Sequence, residues 1–110
     1  MVDSDIFGGN NAESFYDEGL TASMKGDVAA ATLHFESAIR LDQSMAAAYH
    51  QLGKCYARLG QTKKAIKILE QVTQKRPSLS AARIDLANAL IQAEHYDDAV
   101  QHFQYVLSKE

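Results

Sequence analysis

The stretch Tyr49-His50-Gln51-Leu52-Gly53-Lys54-Cys55-Tyr56, continued by Ala65-Ile66-Lys67-Ile68-Leu69 and closed by Pro77, decides how the chain folds. Tyr49, Leu52, Cys55, Tyr56 and Leu59 recur at i, i+3 and i+4, the spacing that gathers apolar side chains on one helix face. Ala65, Ile66, Ile68, Leu69 and Val72 draw a second such stripe. Between the stripes Gly60 tolerates positive φ, so the chain can reverse there. Pro77 cannot continue the second helix and stops it. The segment reads as two antiparallel helices joined by a tight turn.

Working outward, the same pattern returns on both sides. Gly19 to Gly53 and Gly26 to Gly60 are both steps of 34 residues. That step also carries Ala31 to Ala65 to Ala99, Phe35 to Leu69 to Phe103, and Ala38 to Val72 to Val106, small onto small and large onto large. A fixed period of this size marks stacked repeats. The chain divides into rows at 12–45, 46–79 and 80–110 behind a flexible tail at 1–11, of which 1–9 is expected to be mobile. Six helices are predicted near 12–24, 28–41, 46–58, 62–75, 80–92 and 96–108. Gly53 inside a helix costs about 1 kcal/mol relative to alanine. Close approach of the partner helix is the expected offset, with Ala31, Ala65 and Ala99 as the small residues opposite. Asn10 with Glu13 has capping-box spacing before the first helix, and Ser78 or Ser80 is expected to cap the fifth.

Composition narrows the function classes. The 110 residues carry a formal charge of −3, with 46% hydrophobic and 23% charged residues, ordinary values for a folded domain. A pI near 5.7 argues against general nucleic-acid binding. No uninterrupted apolar run exceeds Met45 to Tyr49, so no membrane insertion is expected. Cys55 is the single cysteine and cannot form an internal disulfide. The expected setting is cytoplasmic.

The middle row, Tyr49-x2-Leu52-Gly53-x2-Tyr56, then Ala65-x3-Leu69, then Pro77, resembles the tetratricopeptide repeat (TPR), a helix-turn-helix unit of period 34. Row one departs from the pattern with Glu18, Ala22 and Gln43, and row three with Arg83 at the aromatic place and Ala87 at the glycine place. The resemblance implies an all-α, right-handed α-solenoid of three units. First helices would line a concave groove and second helices the convex back. It also implies a domain that binds proteins or peptides and does no chemistry.

Residues for catalysis are lacking in the sequence. His34, His50, His95 and His102 fall on different helices or faces. His95, Asp98 and His102 share a helix face nominally, but Tyr96 and Ala99 read as packing residues there, and no metal site is expected. Gly8-Gly9 has no following lysine, so it is no phosphate loop. Cys55 lies on an apolar stripe and reads as a buried structural thiol. The chain is expected to be no enzyme and to carry no cofactor.

Charge is segregated by row. Row one is net −4, row two +6 and row three −3, so a basic belt sits between two acidic blocks. Two readings stay open: neutralisation between neighbouring repeats, or a binding surface. In the geometry implied by the resemblance, the concave positions are Glu13, Tyr16, Asp17, Leu20, Ser23 and Met24 in row one. They are Ala47, His50, Gln51, Lys54, Ala57 and Arg58 in row two, and Ala81, Ile84, Asp85, Asn88, Ile91 and Gln92 in row three. Family members that clamp the carboxylate end of chaperone tails use Lys, Asn and Arg side chains. The matching places here are Tyr16, Leu20, Gln51, Ala81 and Asp85, none of them basic, so that role is disfavoured. His50, Lys54 and Arg58 fall at i, i+4 and i+8, flanked by Tyr16, Leu20 and Met24 on one side and Ile84, Asn88 and Ile91 on the other. This suits a peptide with an acidic centre and apolar flanks, against the alternative that these charges pair with Asp17 or Asp85.

The expected function is thus a peptide- or protein-binding adaptor or scaffold. The alternative is a self-assembling structural module, or a regulatory TPR fragment of a larger enzyme or secretion machine. The stripe Val100, Phe103, Tyr105, Val106 and Leu107 on the last helix is expected to be partly exposed. It would be covered by a second copy, as a homodimer, or by a longer chain.

Overall fold

The apolar stripes form six helices, α1 (Ala12–Met24), α2 (Val28–Leu41), α3 (Ala46–Arg58), α4 (Thr62–Lys75), α5 (Ser80–Gln92) and α6 (Tyr96–Ser108), each with the bounds the sequence predicts. They come from a computed structural model that describes residues 11–110. The mobile tail expected at 1–9 and the cap expected at Asn10 lie outside the described residues.

The helices pack as consecutive antiparallel pairs, α1 with α2, α3 with α4 and α5 with α6, and the pairs stack through α2–α3 and α4–α5. The result is an all-α solenoid with extents of 53 × 25 × 20 Å. Phe35, Leu52, Leu69, Val72 and Leu86 are fully buried and form its spine. No helix among the described residues is long and apolar enough to cross a membrane.

The turns within the pairs repeat one geometry. Gly26 and Gly60 have φ of 83° and 77°, and Glu94, at the third place in the 34-residue register, has φ of 63°. At each turn the next residue's N–H donates five residues back: Asp27 to Ala22 at 2.9 Å, Gln61 to Tyr56 at 2.8 Å and His95 to Leu90 at 2.8 Å. These bonds satisfy carbonyls that a helix end otherwise leaves open. Glu94 does this without glycine's freedom, a departure the sequence pattern did not reveal.

Several local expectations are corrected. The first helix is capped by Asn11, whose side chain accepts from the Ser14 N–H at 2.7 Å. Neither Ser78 nor Ser80 caps α5: Leu79 takes the cap position and offers no side-chain bond, while Ser80 is already helical. Close approach at Gly53 is real, but its neighbour is large. A Cβ there would lie 2.6 Å from Leu69 Cγ, and one at Gly19 would lie 2.6 Å from the Phe35 ring, so the facing residue is not Ala65 or Ala31. Tyr96, expected to pack, is 55% exposed at the start of α6, whereas Ala99 is buried. Val106, expected on the exposed edge, is only 8% exposed, because it shares the inward face of α6 with Ala99.

Arg83 fills the aromatic place of row three by another means. Its guanidinium stacks 3.7 Å from the Tyr105 ring centroid and donates to Pro77 O and His102 Nδ1, each at 3.1 Å. A flat cation on an aromatic face replaces aromatic packing.

Candidate peptide-binding groove

Besides its antiparallel partner α4, α3 touches α5 directly, so the first helices of repeats two and three border one surface. Lys54 and Arg58 lie one turn apart on α3, and Asp85, Asn88 and Gln92 follow at helical spacing on α5. Together with Ala57 they wall a cleft of ≈ 150 Å³ whose floor is Leu69 and Ala89. Leu69 and Ala89 were not read as groove residues. Leu69 was legible only as part of an apolar stripe and Ala89 was not singled out, since periodicity shows that a side chain points inward but not which gap it floors.

The electrostatics of the cleft turn on one contact. His50 Nε2 is 2.7 Å from Asp85 Oδ2, joining α3 to α5 at the cleft's end. Asp85 is the carboxylate best placed to neutralise the cleft, and His50 occupies it. Lys54 and Arg58 have no hydrogen-bond or ion-pair partner among the described residues. The two alternatives therefore divide: His50 pairs with Asp85, while Lys54 and Arg58 do not pair with Asp17 or Asp85. A second histidine–carboxylate contact among the described residues joins His34 Nδ1 to Glu18 Oε2 at 3.2 Å. No lysine or arginine of the basic middle row is neutralised through a direct ion pair with a described residue.

The remaining groove residues are dispersed. Tyr16 lies against Phe35, with ring centroids 5.7 Å apart, and with Leu20 it is half-buried on the core. Gln51 is half-buried on α3. Met24 is 87% exposed at the end of α1, and Ile84 and Ile91 are exposed on α5. None of these six lines the α3–α5 cleft. Of the edge residues on α6, Val100 and Leu107 (67%) are exposed and Phe103 is half-buried.

Cys55 sits beneath this surface in the core, and burial pushes its thiol above the ordinary range. A thiol held protonated there is a packing group and a poor nucleophile. The cleft presents two cations without an ion-pair partner among the described residues, side-chain amides at Asn88 and Gln92, and an apolar floor.

A family model described as "Anaphase-promoting complex, cyclosome, subunit 3" matches residues 24–106. No curated protein matches the chain in sequence. Among solved structures, the chain is similar to a MamA protein at 30% identity and a TM-score of 0.85, over 96% of this chain and 57% of that one. The chain thus spans little more than half the length of that relative. The fold is also that of YrrB, "a TPR protein with an unusual peptide-binding site", at 21% identity and a TM-score of 0.87, over 92% of this chain and 52% of that one. It is again that of the second TPR of Spaghetti (RPAP3), a structure bound to the HSP90 peptide SRMEEVD, at 23% identity and a TM-score of 0.86, over 91% of this chain and 93% of that one.

Proposed function

The chain belongs to the tetratricopeptide-repeat family, in the group described by the subunit 3 model, and on that premise we propose that it is a non-catalytic adaptor that binds a peptide or protein segment in the α3–α5 cleft. The ligand is a segment with an acidic group at its centre and apolar residues beside it. The observation that carries this reading is the unpaired state of Lys54 and Arg58 beside an Asp85 already held by His50. A carboxylate entering the cleft gains charge-assisted bonds of about 1.5–3 kcal/mol each where water is partly excluded. Peptide binding by YrrB and by the second TPR of Spaghetti supports the class of ligand, not its sequence. The chaperone-tail clamp remains unsupported, since Tyr16, Leu20, Gln51, Ala81 and Asp85 hold no cation at its positions. Recruitment of a partner protein in the cytoplasm is the role this chemistry serves.

The test is binding of arrayed octapeptides that alternate Asp or Glu with Leu, Ile or Phe. Lys54→Ala and Arg58→Ala should each weaken a set of the retained peptides, and added salt should weaken that set further. Retention unchanged in the double variant, with loss on Lys63→Ala or Lys67→Ala instead, would place the site outside the cleft.

A second reading, self-association through α6, is favoured by the exposure of Val100 and Leu107. Sedimentation equilibrium decides it: a monomeric mass at high concentration, unchanged by Leu107→Glu, removes that reading.

A further inference from the structure

The basic middle repeat has a second face. On the side of α3 away from α5, a cleft opens between α2 and α3, lined by Glu36, Ile39, Arg40, Gln43, Tyr49 and Tyr56. Its volume is ≈ 520 Å³, larger than that of the α3–α5 cleft. Two tyrosine rings form its wall, and α4 brings a lysine to each. Lys75 Nζ lies 5.0 Å from the Tyr49 centroid, and Lys64 Nζ lies 5.5 Å from the Tyr56 centroid. These ring contacts hold the ammonium groups near the cleft, and neither is paired with a carboxylate among the described residues. Lys75 Nζ also donates to Gln43 O at 3.3 Å, which fixes it at the cleft's end.

Glu36 gives the cleft its one acidic group. It accepts from the Tyr56 hydroxyl at 2.7 Å, so one of its oxygens is already engaged. Burial and this carboxylate push the Tyr56 hydroxyl well above its ordinary range, so it stays a donor. The lining therefore offers the Arg40 cation, one acceptor for an N–H, a side-chain amide at Gln43, and apolar surface from the Tyr49 ring and Ile39, with the Lys64 and Lys75 ammonium groups held on the tyrosine rings beside it.

We infer that this α2–α3 cleft is a second docking site, separate from the α3–α5 cleft, for a short acidic segment of a partner protein. Carboxylates of the segment meet Arg40 and the flanking Lys64 and Lys75, an apolar side chain lies on the Tyr49 ring and Ile39, and Glu36 and Gln43 bond the segment's backbone. Charge decides between a protein segment and a nucleic acid. The basic belt is one repeat wide, and rows one and three beside it are net −4 and −3. A continuous polyanion crossing the belt must run onto these acidic flanks and past Glu36. A peptide with a few carboxylates ends before reaching them.

The test uses the full chain and the arrayed octapeptides alternating Asp or Glu with Leu, Ile or Phe, with a labelled single-stranded DNA of about 20 nucleotides as the polyanion probe. Two charge-reversed variants separate the clefts: Lys64→Glu with Lys75→Glu, and Lys54→Glu with Arg58→Glu. All four side chains are exposed, and circular dichroism confirms that each variant stays folded. A set of peptides should survive the Lys54→Glu/Arg58→Glu reversal yet lose at least about tenfold in affinity on Lys64→Glu/Lys75→Glu. Tyr49→Phe should keep that set, because the ring and not the hydroxyl carries the contact. Three results overturn the inference: no acidic peptide binds, every bound peptide is lost with Lys54 and Arg58 alone, or the DNA binds through Lys64 and Lys75 more tightly than any peptide. The first would also defeat the α3–α5 reading, whereas the second would leave that reading standing.

Discussion

His50 Nε2 lies 2.7 Å from Asp85 Oδ2, so the carboxylate that would silence the α3–α5 cleft is tied to its end instead. Released, Asp85 would compete for Lys54 and Arg58 with any incoming acidic group. Acidic octapeptides should therefore bind His50→Ala several-fold more weakly than the unaltered chain. Asp85→Asn, which removes the negative charge at nearly constant shape, should bind them more tightly. Titrations of both variants check the pair; opposite signs would show that Asp85 helps hold the ligand.

Glu94 adopts φ 63° where its register partners are Gly26 and Gly60. A left-handed residue with a Cβ costs about 1–2 kcal/mol, while glycine's extra freedom in the unfolded chain returns about 0.5–1 of that. Glu94→Gly should stabilise the fold by about 0.5–1 kcal/mol, and Gly60→Ala should destabilise it by about the same. Urea unfolding measures both.

At Gly53 the expected change has the other cause. A Cβ would meet Leu69 Cγ and Cδ2 at 2.6 Å, in a core where Leu69 is fully buried. Overpacking of about 1–3 kcal/mol should exceed the helix-propensity gain of about 1 kcal/mol. Gly53→Ala should thus unfold at lower urea, and shortening Leu69 to alanine in the same chain should cost less than the two single changes added together.

His102 gives a pH dependence of defined sign. Burial and the adjacent Arg83 hold its imidazole below the ordinary 6.5, with Asp98 and Glu70 acting in the opposite sense. Between the folded and unfolded values the unfolded chain binds more protons, so stability falls as pH drops below about 6.5. His102→Gln should flatten this part of the profile between pH 7 and 5, measured as the difference in thermal midpoint from the unaltered chain. An equal slope in both would remove His102 as its source.

How far the sequence discloses these features depends on what each one rests on. Helix ends follow from glycine, proline and apolar spacing, which act locally, and all six were legible. Features that depend on a neighbouring helix were not. Leu69 was visible as a core residue, yet nothing in its spacing says that it covers Gly53 and floors the α3–α5 cleft. Glu94 carries no side-chain signal for a left-handed turn; only its place in the 34-residue register points there. Tyr49 and Tyr56 marked the repeat, but the lysines that α4 sets on their rings come from positions 64 and 75, outside the repeat motif. The placement of Val106 inward and Tyr96 outward likewise reflects how α6 is rotated on α5, which amphipathic spacing leaves free by a residue.

The central claim is that an acidic segment lies against Lys54 and Arg58 between α3 and α5. A nitrogen-15 NMR titration of the full chain with the tightest acidic octapeptide retained by the Lys64→Glu/Lys75→Glu variant tests it most directly. The account predicts that amide signals of Lys54, Arg58, Asn88 and Gln92 move together and saturate at one midpoint, with the movement suppressed by salt. Signals that move on α1, α2 or α6 while these four stay in place would contradict it.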